Sequence, residues 1–352
     1  MSDQSLTLQE NIVEAFQQQQ AVQIIGGNTK FFYGRTPSGK PLNVSEHSGI
    51  TNYEPTELVI TARGGTKLSE IESLLAENNQ MLAFEPPYFG KTATLGGTIA
   101  CNLSGPRRPY AGAARDYVLG ITLLNGKGEI LHFGGEVMKN VAGYDVSRLM
   151  AGAMGTMGIL LEISLKVLPC SDDECTLIKE LDEASALKSI AHYSRKALPI
   201  SASLYDGNKL YIRLCGTSQS VAKAKQKIGG DTLPAKDNFW QIISEHRHAF
   251  FNSDMPLWRL SVAPNTRPLR LDGKSLLDWG GAQRWLLSEE PIEKIQHVVE
   301  KEGGHAVLFR NGDHDGEVFQ VLPEKMLHIH RELKRAFDPE SILNPGRMYK
   351  VL

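Results

Sequence analysis

The chain has 352 residues, which exceeds one ordinary hydrophobic core and leaves room for two or three substructures. Lysine and arginine total 38 against 40 aspartate and glutamate, a formal net charge of −2. Such a balance provides no overall positive field, which argues against nucleic acid or an anionic membrane as the main partner. The start of the chain lacks a basic segment followed by an apolar core, and no run of about eighteen apolar residues follows. We therefore expect a soluble, cytoplasmic protein.

The four cysteines are scattered without a recognisable spacing. None of them forms a CxxC pair, and in a chain of this size that scatter favours reduced thiols in a cytosolic setting. We expect no iron–sulfur cluster held by this chain. The cysteines are Cys101, Cys170, Cys175 and Cys215.

The first part of the chain alternates strands, Gly-Gly turns and helices. Residues 21–27 and 57–65 each have the pattern of a short buried strand that runs directly into a glycine turn. The segment 67–80, which follows the second of these patterns, has apolar residues at helical spacing with charges between them. That periodicity predicts an amphipathic helix lying on a sheet.

A hairpin and one further strand are predicted next. Residues 118–124 and 129–135 flank an Asn-Gly sequence, which is a strong short-range hairpin signal. Residues 157–169 predict a strand that Pro169 ends.

The character of the sequence changes after Pro169. Residues 170–183 are acidic and polar and predict a domain boundary, followed by separated strands at 200–205 and 209–214. This pattern predicts a second, smaller α+β domain. Near the C-terminus, one face of a helix that ends before Asp338-Pro339 is formed by Met326, His330, Leu333 and Phe337.

Three glycine-containing loops suit a large anionic cofactor. Gly26-Gly27-Asn28-Thr29 follows a strand and offers consecutive backbone N–H groups, as in an anion-binding nest. Gly96-Gly97 can pass under a flat ring while Asn102 hydrogen-bonds its polar edge, and residues 155–159 give another close approach beside a strand. Each pair alone is equally well a turn or a bulge, and neither the Rossmann nor the P-loop motif is present. Three such loops in order favour the cofactor interpretation.

Several motifs resemble a known family. The FAD-binding domain of vanillyl-alcohol-oxidase type flavoproteins is similar to GGNT at 26–29, TLGGTIACNLSG at 94–105, KNVAGYDVSRLMAGAMGTMGI at 139–159 and FDPESILNPGRMY at 337–349. Nearly the whole chain resembles the FAD-binding E subunits of bacterial glycolate oxidase, through residues 54–66, 105–120, 133–145 and 277–286 as well.

The resemblance implies an α+β fold with a two-subdomain FAD-binding domain of the PCMH (p-cresol methylhydroxylase) type and a short α+β cap domain. It divides the chain into an FAD-binding domain at 1–170, a reduced cap at 171–325 and a C-terminal segment at 326–352 that returns to the FAD domain. FAD would stretch between the two subdomains, with its pyrophosphate on GGNT and on the Gly96-Gly97 loop.

The resemblance also implies which residues contact the cofactor. They are Gly26, Gly27, Asn28, Thr29, Thr94, Gly96, Gly97, Asn102, Gly105, Gly143, Tyr144, Gly155, Gly158, Ile159 and Asn344. Some members attach FAD covalently through a histidine in the first glycine loop, but that stretch reads GGNTKFFYG here. We therefore expect non-covalent FAD.

The implied function is that of an FAD-binding subunit in a multi-subunit oxidase of 2-hydroxy acids, converting glycolate to glyoxylate. The implied partners are a larger flavoprotein subunit that meets the substrate and an iron–sulfur subunit at the electron exit. The flavin here would relay electrons or stabilise the assembly, and the complex could associate peripherally with the inner face of the membrane. The protein supplies position and polarity for the flavin chemistry.

The cap shows no defensible catalytic set, and no metal site is expected. Its histidines were compared with ligand spacings, and the pairs 246/248 and 328/330 point to different faces of a helix. All four are interpreted as polar surface residues. The segment 303–316 is the best remnant of a substrate segment, with His305 and His314 as weak catalytic candidates.

Three arginines follow the second glycine loop: Arg107, Arg108 and Arg115. They could bind an acid substrate, an FAD phosphate or a partner subunit, and solvated loop arginines are an equally good interpretation. Trp279, Trp285 and the Gly280-Gly281 pair are interpreted first as core and turn, and second as a subunit contact.

Two other interpretations stay open at this point. One is an independent FAD enzyme of the same fold, such as the cell-wall enolpyruvyl-sugar reductases, which 139–152 and 344–349 fit poorly. The other is a flavin-binding scaffold without turnover. An enzyme would need acid/base and carboxylate-binding groups converging beside the flavin.

Overall fold

A computed structural model describes residues 2–135, 145–234 and 237–352. In the first part of the chain the elements are, in order, α1 Ser5–Gln17, β1 Val22–Ile25, β2 Lys40–Asn43, β3 Ile50–Glu54, β4 Val59–Arg63, α2 Leu68–Glu77, β5 Gln80–Met81, α3 Leu95–Cys101, α4 Arg108–Ala111, β6 Val118–Leu124, β7 Ile130–Gly134, α5 Val146–Met150, β8 Ile159–Lys166 and β9 Leu168–Pro169. The strands, the amphipathic helix and the hairpin predicted there are confirmed.

The first part holds a five-stranded antiparallel sheet in the order β3-β4-β8-β6-β7, beside a small parallel pair of β1 and β2. Helices α2 and α3 cover one face of the larger sheet. Leu68, Ile71 and Leu75 of α2 are buried there with Ile99 of α3, as their helical spacing requires. The sheet and its helices form one core, and the β1–β2 pair packs against α1 in another.

The second part contains, in order, β10 Asp173–Glu180, α6 Glu183–Ser194, β11 Ile200–Tyr205, β12 Lys209–Gly216, α7 Ser218–Ile228, β13 Asp231–Thr232, α8 Phe239–Ser244, β14 Leu257–Ser261, β15 Lys274–Asp278, β16 Gln283–Leu287, α9 Ile292–Lys301, β17 His305–Arg310 and, near the C-terminus, α10 Glu324–Phe337. An eight-stranded sheet runs in the order β13-β10-β12-β11-β15-β16-β14-β17. The strands predicted at 200–205 and 209–214 and the C-terminal helix are confirmed.

The polar segment 170–183 is not a plain linker. Most of it is β10, which pairs antiparallel with β12 over its full length. Leu177 is fully buried, and Thr176 hydrogen-bonds the indole of Trp240, while the acidic residues lie toward solvent.

The C-terminal segment contacts the first part of the chain through Leu343 and Asn344. Leu343 forms a bridge with Val22 of β1, and the backbone N–H of Asn344 donates to the Val22 carbonyl at 2.9 Å. Leu343 and Asn344 therefore complete a wall beside the first glycine loop.

Candidate functional site

The first glycine loop lies against the backbone just before α3. A Cβ atom on Gly27 would come within 1.7 Å of the Thr92 carbonyl oxygen, so only glycine fits. The Thr92 hydroxyl donates to the Gly27 carbonyl at 2.7 Å and holds the two segments together. Asn28 has a φ of 56°, and the loop turns sharply after β1.

The second glycine pair begins a helix rather than an open loop. The Thr94 side chain caps α3 by accepting from the Gly97 N–H at 3.2 Å. The Gly96 N–H donates to the Gly64 carbonyl at 2.7 Å, and a Cβ on Gly96 would lie 2.9 Å from that oxygen. A Cβ on Gly97 would meet only Thr94 Oγ1, at 3.2 Å, so this position faces open space.

The two glycine loops form two walls of one cleft, and the loop before β8 forms the third. Asn344 is buried and holds this loop to β1: its Oδ1 accepts from the Ile24 N–H at 2.8 Å, and its Nδ2 donates to the Met154 carbonyl at 2.8 Å. A Cβ on Gly155 would lie 2.7 Å from Asn344 Nδ2, and Gly155 has a φ of 73°. The three walls enclose one cleft of about 120 Å³.

Most of the predicted cofactor contacts share this cleft. The predicted residues that line it are Gly26, Gly27, Asn28, Thr29, Thr94, Gly96, Gly97, Gly155, Gly158, Ile159 and Asn344. Gly143 and Tyr144 lie outside the described residues.

Asn102 and Gly105 do not line the cleft. The Asn102 side-chain oxygen accepts from the Arg115 N–H at 3.1 Å, so it is directed to that turn. Gly105 lies where the two parts of the chain meet, and its carbonyl accepts from the Trp279 indole at 3.0 Å. A Cβ on Gly105 would lie 2.3 Å from the backbone carbonyl oxygen of Glu85. The glycine at 105 is thus explained by a close backbone approach.

Other cleft residues were not predicted from the sequence, among them Gly64, Lys30, Cys101 and Arg347. Gly64 follows a strand in a Gly-Gly pair, a signal that the sequence did carry. Arg347 belongs to the same NPGR motif as Asn344, but only the tertiary structure turns its guanidinium inward. It donates to the backbone carbonyls of residues 30, 31 and 35.

The prediction that His246 is a surface residue is wrong. Its ring stacks on Phe251 with centroids 3.9 Å apart and a 4° interplanar angle, and it meets Trp285 edge-on at 4.5 Å. Burial lowers the pKa of His246 well below its ordinary value, and the charges of Arg310 and Arg259 act in the same direction. The imidazole is therefore neutral near pH 7. The sequence His246-Arg247-His248 is polar, so it did not indicate that the first histidine packs among aromatic rings.

The other three histidines that were predicted at the surface, at positions 248, 328 and 330, are at least partly exposed. His328 is exposed, and His330 Nδ1 donates to the Met326 carbonyl of its own helix at 2.8 Å. His248 is half-buried and caps a short turn by accepting from the Phe250 N–H. His314 bonds the Gly34 carbonyl at 2.9 Å.

The arginines after α3 have separate roles. Arg108 lies over the Trp279 ring with its guanidinium carbon 4.3 Å from the centroid, and Arg115 is exposed. Arg107 and Arg213 both bind Glu85: the Arg107 Nε–Oε1 distance is 3.0 Å and the Arg213 Nη2–Oε1 distance is 2.8 Å. Trp285 is buried in the core and Gly280-Gly281 forms a turn, as first interpreted, whereas Trp279 is only half-buried.

A much larger cavity lies between the two parts of the chain. It has a volume of about 1500 Å³ and reaches the first glycine loop at Thr29, which lines both spaces. Its walls include Phe32 and Phe89 from the first part and Trp240 and Arg310 from the second. A ligand extending past Thr29 would enter a space with aromatic and charged walls.

A third, small cavity of about 30 Å³ adjoins Gly105. It is lined by His246, Arg259 and the buried Asp278, among others. Burial raises the pKa of Asp278 to about 7, although hydrogen bonds from the Trp279 N–H and the Gln283 amide oppose the shift. Arg259 Nε and His246 Nδ1 are buried without a hydrogen-bond partner.

Neither a metal centre nor a membrane span is found in the ranges that the structure describes. No group of three or more His, Cys, Asp or Glu side chains converges there in a way that could hold a metal ion. No helix within those ranges is long and apolar enough to cross a bilayer.

The cleft, at about 120 Å³, fits the charged centre of a dinucleotide rather than the whole molecule. Glycine backbones approach from three sides, the Gly97 face is open, and consecutive N–H groups follow β1. The buried Arg347 guanidinium has no carboxylate partner among the described residues, so a bound pyrophosphate would balance its charge. The fold and the cleft together define an FAD-binding flavoprotein of the vanillyl-alcohol-oxidase type.

Comparisons with known proteins agree with this class and narrow it to one family. Residues 5–134 match the family described as FAD binding domain. The chain is 45% identical over 350 residues to glycolate oxidase subunit GlcE of Escherichia coli (strain K12), covering 99% of each chain. The chain belongs to the family of this glycolate oxidase subunit, and its cofactor is FAD.

Two further relatives share the fold. Glycolate oxidase subunit GlcD of Bacillus subtilis (strain 168) is 30% identical over 394 residues, covering 92% of this chain and 83% of that protein. The solved structure of p-cresol methylhydroxylase with substrate bound superimposes with a TM-score of 0.74 at 15% identity, covering 99% and 88% of the two chains. At that identity the likeness supports the fold alone.

Proposed function

We propose that this chain is the FAD-binding subunit of a multi-subunit glycolate oxidase, which converts glycolate to glyoxylate. The observation that carries the proposal is the identity to a glycolate oxidase subunit over 99% of both chains. FAD, when bound, accepts a hydride equivalent and releases electrons. The residues proposed to hold it are the glycines and polar groups of the cleft, with the pyrophosphate between GGNT and the start of α3.

Substrate oxidation is assigned to a larger flavoprotein partner, and electron exit to an iron–sulfur subunit. In this chain the flavin serves electron relay or assembly. The support is the position of two histidines: His246 is stacked in an aromatic cluster, and His314 is engaged by a backbone carbonyl. A general base contributes about 10²–10⁴-fold to proton abstraction, and neither side chain lines the cofactor cleft.

Dye-reduction kinetics test this division of labour. The purified chain alone is expected to reduce dye with glycolate at a negligible rate, and the complex coexpressed with its genomic neighbours at a useful rate. In the complex, His305→Ala and His314→Ala should each leave kcat/KM within about threefold of wild type, a barrier change below about 0.7 kcal/mol. Robust glycolate-dependent reduction by the lone chain would overturn the assignment to a partner.

The mode of attachment of FAD can be tested on the same preparation. The first glycine loop has no histidine, so the flavin should be released into the supernatant on acid precipitation, at about one per chain. Flavin that stays with the precipitated protein would show a covalent bond instead. A folded chain that takes up no added FAD would contradict the cofactor site itself.

A further inference from the structure

The cofactor cleft holds only the charged centre of a dinucleotide, so the two ends of FAD must lie beyond it. One way out is at Thr29, which lines both the cleft and the large cavity. Phe31 lines the cleft and not the large cavity, whereas its neighbour Phe32 lines the large cavity and not the cleft. Two consecutive aromatic side chains are thus directed to different spaces.

The ring of Phe31 is left unpacked by the protein itself. It is 40% exposed and belongs to none of the hydrophobic clusters that the described residues form. A single exposed apolar side chain needs no explanation on an ordinary surface. This one belongs to the lining of a ligand cleft, where an exposed ring is available to contact the ligand.

Arg347 holds Phe31 from the protein side. Its guanidinium carbon lies 5.4 Å from the ring centroid, and its Nη2 donates to the Phe31 carbonyl at 3.2 Å. The same guanidinium is fixed by the carbonyls of residues 30 and 35. Arg347 is only 7% exposed, so the accessible part of the Phe31 ring is turned away from it. A ring held in this way loses less conformational entropy when a flat ligand stacks on it.

FAD has two flat parts, adenine and the three-ring flavin, and the structure offers them unequal spaces. The large cavity of about 1500 Å³, entered past Thr29, has the volume and the aromatic walls that a three-ring system requires. On the Phe31 side the accessible ring face needs only one planar partner. Aromatic side chains bind bases by stacking, since every base has a π face. The flavin is therefore assigned to the large cavity and adenine to Phe31.

We propose that Phe31 stacks on the adenine of FAD and thereby makes this subunit select FAD over FMN, which has no adenine. Arg347 is a positioning residue: it orients the Phe31 ring, and its charge faces the pyrophosphate in the same cleft. The inference rests on FAD as the cofactor and is independent of the glycolate assignment.

Calorimetric titration of the apoprotein with FAD, FMN and ADP tests the stacking. Phe31→Leu should raise the Kd for FAD about tenfold or more and that for ADP about fivefold or more, because both ligands carry adenine. The Kd for FMN should stay within about twofold. Phe31→Trp keeps a flat ring and should bind FAD within about threefold of wild type. Phe32→Leu is the matched control: Phe32 does not line the cleft, so the Kd for ADP should stay within about twofold.

The absorption spectrum of the bound flavin distinguishes the two ends of the cofactor. It should be the same in Phe31→Leu and wild type, with circular dichroism showing that the variant is folded. Unchanged binding of FAD and ADP to folded Phe31→Leu would overturn the proposal. An equal rise in the Kd for FAD and FMN, with an altered flavin spectrum, would also overturn it by placing Phe31 at the flavin ring. A complex that fails to oxidise glycolate while these constants are as expected would contradict the proposed function instead.

Discussion

Single glycines in the cleft have two different reasons for being glycine. At position 27 a side chain would collide with the Thr92 backbone, so the requirement is internal to the protein. At position 97 a side chain would meet only one hydroxyl oxygen and would otherwise project into the cleft. The two positions therefore separate folding from cofactor binding.

Gly97→Val should abolish FAD binding while leaving the apoprotein folded. The branched side chain would occupy the space where the cofactor is proposed to lie. The measurement is flavin absorbance per chain after reconstitution, with circular dichroism as the check on folding. Gly27→Ala is the comparison, and it should lower the thermal midpoint of the apoprotein itself. Full flavin occupancy in folded Gly97→Val would show that the pair is only a helix start.

Asp278 makes the stability of the protein depend on pH. Burial raises its pKa from 3.8 to about 7, so the folded state keeps the proton over a range where the unfolded chain has released it. The contribution of this group is therefore full below about pH 4 and is lost as the pH rises through about 7.

Asp278→Asn should remove that dependence. The free energy of unfolding of the variant minus that of wild type should increase by about 1 kcal/mol or more between pH 5 and pH 8. Urea unfolding at several pH values measures the difference, and other titrating groups cancel between the two proteins. A difference that does not change with pH would mean that Asp278 ionises normally.

At the scale of elements, one buried lysine joins α10 to the cofactor cleft. Lys334 Nζ donates to the Thr156 carbonyl and to Asp338 Oδ2, each at 2.7 Å, and to the Leu343 carbonyl at 2.8 Å. Thr156 belongs to the loop that forms the third wall, and Leu343 precedes the cleft residue Asn344. The helix is otherwise largely exposed, so this contact carries much of its attachment.

Lys334→Met should destabilise the protein by about 3–5 kcal/mol, because Asp338 would remain as a buried, unpaired carboxylate. Arg335→Met is the matched control on the same helix: its partner Glu332 is exposed, and the cost should be below about 1 kcal/mol. Chemical denaturation measures both. Equal effects in the two variants would contradict the role given to Lys334.

Across the whole molecule, Glu85 connects the two parts of the chain. It accepts from the backbone N–H and Nε of Arg107, both at 3.0 Å, and from Arg213 Nη2 at 2.8 Å. Arg213 is 4% exposed at its side chain, while Glu174 meets the same guanidiniums only at 3.6 and 3.8 Å. The large cavity lies beside this contact, since Glu85 and Arg213 both line it.

Glu85→Gln should lower the free energy of unfolding by about 2 kcal/mol, because charged hydrogen bonds to two arginines are lost. Glu174→Gln is expected to cost less than half as much. Urea denaturation gives both values, and limited proteolysis between residues 170 and 175 should accelerate in the first variant only. Equal stability of Glu85→Gln and wild type would rule out Glu85 as the main polar link.

Much of the fold and of the cleft could be predicted from the sequence because the signals are local. Apolar periodicity over a few residues identified α2, β8 and α10, a strand-then-glycine pattern located the loop at 26–29, and glycines beside a strand located the loop at 155–159. The motif resemblance then put these loops in one site. The strand hidden in 170–183 was missed, because charges on adjacent positions at both of its ends leave no alternating pattern.

The tertiary structure alone decided which distant side chains meet. Glu85 and Arg213 are 128 residues apart, and nothing in either neighbourhood indicates the pairing. Likewise, Lys30 and Arg310 flank Phe89 only because β17 closes the edge of a sheet that faces the first glycine loop across a cavity. Local patterns encode which elements form and where the backbone turns, since both depend on neighbours in sequence. Contacts across a cavity depend instead on how the sheets are connected, and that is a property of the packed chain.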